Sequence, residues 1–122
     1  MKTLSLILFA ALLVIQIIAP RTAPAFDIVG PLTTTAFGCL YSAGYPDAIV
    51  RAYSLDNGGS VDPNAVQTLQ NAQNANMATN IYMAICPNGD ATSQVNAVYK
   101  SIPSTLYGMI WIKVIPNTTP GC

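Results

Sequence analysis

The chain has 122 residues, five basic and five acidic side chains, no histidine and an apolar fraction of 52%. All five acids are aspartate, so a Ser-His-Asp or Cys-His nucleophile system, a His-ligated zinc and any glutamate acid–base pair are excluded. The few Lys and Arg residues are scattered, which excludes an electrostatic grip on nucleic acid or anionic lipid; with no Gly-rich phosphate loop, no Cys-x-x-Cys pair and no internal repeat, no cofactor is expected.

In chain order, Met1-Lys2 and the apolar run from Leu4 to Ile18 form the charged start and core of a secretory signal. Ala23-Pro24-Ala25 is its small-x-small cleavage motif. The run falls short of the roughly 20 residues a membrane span needs, so residues 1–25 are expected to be removed and no membrane contact to remain. The expected destination is the extracellular space or a gut or vesicle lumen. Residues 26–122 then form one small domain, in which Arg51, Lys100 and Lys113 are outnumbered by Asp27, Asp47, Asp56, Asp62 and Asp90.

Phe26 to Val29 reads as a strand, broken by Gly30-Pro31, and Ala36, Phe37, Leu40 and Ala43 recur at helical spacing within Thr33 to Ala43. After the turn Gly44-Tyr45-Pro46-Asp47, Ala48 to Tyr53 is a nearly continuous apolar strand, as in sheets covered on both faces. Asp56-Asn57-Gly58-Gly59 is a loop. Asp62-Pro63 opens a second helix, where Asp can cap free N–H groups and Pro suits the first turn, and Val66, Leu69 and Ala72 mark its buried stripe.

Ile81 to Ile85 is the third strand. Cys86-Pro87-Asn88-Gly89 turns, Asp90 caps, and Val95, Val98, Tyr99 and Ile102 stripe a third helix that Pro103 ends. Leu106 to Val114 is the fourth strand. The order β-α-β-α-β-α-β predicts an α/β fold, a partial (β/α) barrel of about four parallel strands with three helices. A closed barrel takes about 250 residues, so this is half of one.

Of the cysteines, Cys86 and Cys122 follow adjacent predicted strands and could pair as a disulfide, leaving Cys39 as a buried thiol; an odd count in a secreted protein can otherwise mean an intermolecular bridge or an incomplete chain. Asn117-Thr118-Thr119 is a glycosylation sequon. Asp47, Asp56 and Asp90 have turn and cap duties.

At Asp27, Cys39-Leu40, Ala48 to Tyr53, Val61 to Thr68, Ile81-Tyr82-Met83 and Tyr107 to Trp111, the sequence resembles secreted eukaryotic lysozymes of glycoside hydrolase family 25, in order and at family spacing from about Phe26 to Ile112. The resemblance implies the N-terminal half of a barrel enzyme that hydrolyses glycosidic bonds of bacterial peptidoglycan, for digestion of bacteria or defence against them. It makes peptidoglycan the expected partner.

The family ends its first strand with an Asp, and Asp27 matches that position. It ends its fourth strand with two acids, and there this chain has Lys113 and Ile115. Glycoside hydrolysis needs one carboxylic acid to protonate the leaving oxygen and a carboxylate to activate water or stabilise the oxocarbenium-like centre. Ile115 donates no proton, and Lys113 sets positive charge where positive charge must develop. General acid assistance is commonly worth ~10²–10⁴ in rate, so almost no turnover is expected.

Arg51 lies inside an apolar strand, where an unpaired charge is costly. It is expected to pair with a carboxylate such as Asp27 or point to the barrel mouth, as ligand support, or else to hold its head group in water at an edge. Tyr53, Tyr82 and Trp111 come late in their strands and are candidates for stacking on sugar rings, against the alternative of core packing.

Two functional readings follow. In one, the chain is a lysozyme-family enzyme whose reading frame leaves the family pattern after Ile112, as a retained intron would make it. In the other, it is a short secreted protein that binds peptidoglycan or a partner without cleaving. A half barrel that left several Val, Ile or Leu side chains bare would forfeit roughly 1.5–3 kcal/mol each, so the second reading predicts self-association through the open barrel edge, or poor solubility.

Overall fold

The computed structural model describes residues 24–114. Residues 1–23 of the predicted signal segment, Ile115, the predicted Asn117 sequon and Cys122 lie outside the described residues.

Strand β1 spans Ala25–Ile28, helix α1 Thr34–Ser42, and strand β2 Asp47–Ser54. The Thr33 hydroxyl starts α1 by accepting from the Ala36 N–H at 3.2 Å. Gly44 ends it at φ +95°, where Tyr45 N–H reaches back to the Leu40 carbonyl at 3.1 Å. A single 3₁₀ turn, Asp56–Gly58, leads into the two-residue strand β3, Ser60–Val61. Helix α2 is Ala65–Asn74, β4 is Ala78–Ile85, α3 is Ala91–Ser101, and after a 3₁₀ turn at Ser104–Leu106 comes β5, Ile110–Val114. Asp90 caps α3 as expected, its carboxylate accepting from the Thr92 and Ser93 N–H groups.

The sheet runs β1-β2-β4-β5, all parallel, with β3 antiparallel to β2. Among the described residues this is the predicted α/β layout of four parallel strands and three helices, and their sheet is not closed. Paired residues share a face. Ile28, Val50, Ile81 and Ile110 stand in register across the four strands on one face, together with Met83 and Ala48. Against them pack Phe37 of α1, Leu69 and Ala72 of α2 and Val98 of α3, all fully buried. Burial at about 1.5–3 kcal/mol per large side chain makes this layer the source of the fold's stability.

Among the described residues the opposite face carries no helix. Register places Asp27, Ile49, Asn80, Arg51, Tyr82, Trp111, Ala84 and Lys113 there.

Several boundaries differ from the sequence reading. The first strand ends at Ile28, and Val29 beyond it is 59% exposed. The third strand begins three residues early, because the Thr79 hydroxyl, polar and nearly buried, finds the Leu106 carbonyl at 2.8 Å. The last begins late: Leu106 closes a 3₁₀ turn and enters the core. Helix α2 opens after Asn64, which makes no side-chain cap. Cys39 is exposed and free, not buried, because the inward side of α1 is taken by Phe37.

Candidate functional site

Asp27 is the third residue of β1 and Lys113 the fourth of β5, with two strands between them. Lys113 Nζ nevertheless lies 4.0 Å from Asp27 Oδ2. In a flat sheet three strand spacings and a four-residue offset would hold the two Cα atoms roughly 19 Å apart, so the two side chains lean together across the open face. Both are more than half exposed, and such a pair contributes about 0–1 kcal/mol. Lys113 Nζ also sits 5.6 Å from the centre of the Tyr82 ring, a cation–π distance.

Tyr82 is only 6% exposed. Burial raises its phenol above the usual value, with Asp27 and Asp62 adding to the shift and Arg51 opposing it. It therefore presents a neutral hydroxyl and a ring face at ordinary pH. Trp111, in register with Tyr82 on the next strand, is half exposed. A cavity of about 290 Å³ lies along this line, with Arg51, Asp56, Tyr82 and Lys113 among its walls.

The carboxylate that pairs with Arg51 is Asp62, not Asp27. Arg51 Nε donates to Asp62 Oδ2 at 2.9 Å, Nη2 lies 2.9 Å from the same oxygen, and the Asp62 side chain is 3% exposed. Its other oxygen accepts from the Asn64 N–H at 2.9 Å. The register of β2 against β4 shifts between Arg51 and Tyr53, and β3 returns antiparallel beside β2, with Asp62 N–H bonded to the Ala52 carbonyl. Together these bring Asp62 beside the guanidinium. Arg51 Nη1, 3.9 Å from the exposed Asp56, faces the cavity.

The same shift takes Tyr53 away. It pairs with Met83, packs into the helix-covered core and is 6% exposed. Its hydroxyl lies under the β2–β3 connection, where a Cβ built on Gly59 would come within 2.7 Å of it. The structure thus gathers Asp27, Arg51, Tyr82, Trp111 and Lys113 on one face and leaves Tyr53 out.

Two structural supports escape the sequence reading. Asp62 looked like a cap and is an ion-pair partner. Gln94 buries its amide and clamps the loop after β4, accepting from Cys86 N–H at 2.8 Å and donating to the Cys86 carbonyl at 3.1 Å. A Gln on a helix gives little signal of this. Cys86 is disulfide-bonded, and the expected pairing with Cys122 lies outside the described residues.

Compared with known proteins, residues 19–120 match the family model described as lysozyme-like protein 1. Over 110 residues the chain is 36% identical to a probable GH family 25 lysozyme 2 of Dictyostelium discoideum, covering 87% of this chain and 49% of that protein. It is 32% identical over 100 residues to lysozyme-like protein 7 of Caenorhabditis elegans, covering 79% of this chain and 35% of that protein. Lysozyme-like protein 3 of the same organism is 30% identical over 106 residues, 82% and 35% of the two chains. The chain therefore spans about half the length of the first relative and about a third of the other two. No solved structure gives a significant match.

Proposed function

This chain belongs to the lysozyme-like protein 1 family, and from that premise we propose that it is a secreted protein that engages bacterial peptidoglycan through its open sheet face without hydrolysing it. The observation that carries this reading is Lys113. Its ammonium stands 4.0 Å from the carboxylate of Asp27, the one residue that matches an acid of the family pattern.

A glycosidase lowers its barrier with a proton donor at the leaving oxygen and negative charge near the oxocarbenium-like carbon. Here a cation sits beside the lone matching carboxylate and opposes that charge. Asp62 supplies no substitute, because both its oxygens are engaged by Arg51 and Asn64.

Binding survives this loss. Trp111 offers a half-exposed ring for a sugar face, the Tyr82 hydroxyl is un-ionised at neutral pH, and Arg51 is held rigidly with one edge toward the cavity. The disulfide at Cys86 suits an oxidising secretory route. A protein that holds wall fragments in a lumen or outside the cell would serve antibacterial defence or bacterial digestion by retention rather than lysis. Co-sedimentation of the secreted chain with insoluble peptidoglycan tests this: the protein should pellet with the walls, and a chain that stays in the supernatant contradicts it.

A further inference from the structure

The cavity beside Tyr82 is bordered by donors that the fold leaves without hydrogen bonds. Its charged walls are Arg51, Lys113 and Asp56. Asp62 takes the Nε and Nη2 edge of the Arg51 guanidinium, while Nη1 has only the Asp56 carboxylate at 3.9 Å, beyond hydrogen-bond reach. Lys113 Nζ has only Asp27, at 4.0 Å. Tyr82 is 6% exposed and walls the same cavity, yet its hydroxyl makes no hydrogen bond among the described residues.

Two cationic donors and one neutral donor therefore border a single space and lack an acceptor. A carboxylate supplies what they lack, because its two oxygens offer several lone pairs and its charge-assisted bonds are stronger than neutral ones. Asp27 and Asp56 do not pre-empt that place. Their side chains are 64% and 77% exposed, exposed pairs of this kind hold weakly, and Asp56 is also bonded by the Ser54 hydroxyl.

Size narrows the ligand further. Val29, Leu55 and Ala84 complete the wall with apolar surface, and the volume of about 290 Å³ is at the small end of ligand pockets. It suits one aliphatic arm that ends in a carboxylate, and it is too small for a glycan chain. Trp111 stands outside these walls, on the strand that carries Lys113, with its ring half exposed for a sugar. Peptidoglycan joins the two chemistries, since short peptides with free carboxylates branch from its sugars.

We infer that this cavity receives a carboxylate of the peptidoglycan peptide arm, with Lys113 Nζ, Arg51 Nη1 and the Tyr82 hydroxyl donating to it. The assignment rests on the peptidoglycan reading and names the part of the polymer that the cavity selects.

Binding isotherms on insoluble walls freed of teichoic acid test the inference, run on native walls and on the same walls with their carboxylates capped as methylamides. The purified wild-type chain should bind the capped walls at least about tenfold more weakly. Lys113→Gln, at a half-exposed position, should keep the wild-type urea midpoint, lose about tenfold on native walls and be indifferent to capping. Equal binding of the wild-type chain to both walls overturns the inference and leaves the peptidoglycan reading standing, as does a Lys113→Gln chain that senses capping as strongly as wild type. A wild-type chain that binds neither wall overturns both, whether or not it binds walls that keep their teichoic phosphate.

Discussion

Arg51 and Asp62 form a nearly buried ion pair in which two guanidinium nitrogens share one carboxylate oxygen at 2.9 Å, tying β2 to the entry of α2. Removing Arg51 strands the Asp62 carboxylate, 3% exposed, away from water. Arg51→Met should therefore cost about 3–5 kcal/mol in unfolding free energy, whereas Arg51→Met with Asp62→Leu should cost far less, because no charge is left behind. Urea denaturation of the two variants measures the difference.

Gly59→Ala should destabilise through the backbone and a contact together. Gly59 has φ +101°, and its added Cβ would meet the Tyr53 hydroxyl at 2.7 Å. A loss of about 1–3 kcal/mol is expected. Tyr53→Phe should recover part of it in a double-mutant cycle, and strict additivity would refute the contact.

How much of this was legible in the sequence follows from what each feature depends on. The strands and helices are written in apolar runs and 3.6-residue stripes, so Val50, Leu69, Ile81 and Val98 declare the core by themselves. The Arg51 partner depends on a register shift near Ala52 and on a two-residue strand, both too short to leave a periodic trace. The shift also decides that Tyr53 faces the core while Tyr82 faces the open side. Cys39 was misplaced because an apolar-looking helix had more such residues than its one buried stripe could hold. Asp27 and Lys113 were legible as positions, but their meeting across two intervening strands is a property of the folded sheet.

Alkaline pH should destabilise the fold. Burial raises the phenol values of Tyr82 and Tyr107 above 10.0, so the folded chain holds these protons after the unfolded chain has released them. The stabilisation is complete below pH 10.0 and is lost as pH rises through the raised folded values. Tyr107 also buries its hydroxyl with no hydrogen-bond partner among the described residues. Tyr107→Phe should therefore leave stability unchanged or raise it by on the order of 1 kcal/mol, and flatten the decline above pH 10.0. Thermal melts from pH 7 to 11 on both chains provide the check.

Trp111→Ala should weaken retention on peptidoglycan by up to about tenfold, the loss of one stacked ring, with little effect on stability because the side chain is half exposed. Binding isotherms on insoluble walls, read beside a denaturation curve, separate these effects. Unchanged retention would remove Trp111 from the site.

The most direct test of the central claim is a paired turbidity and pelleting measurement on purified bacterial walls with the purified chain. Lys113 beside Asp27 predicts walls that keep their turbidity while the protein leaves solution with them; steady clearing of the suspension, with release of soluble glycan fragments, would contradict it.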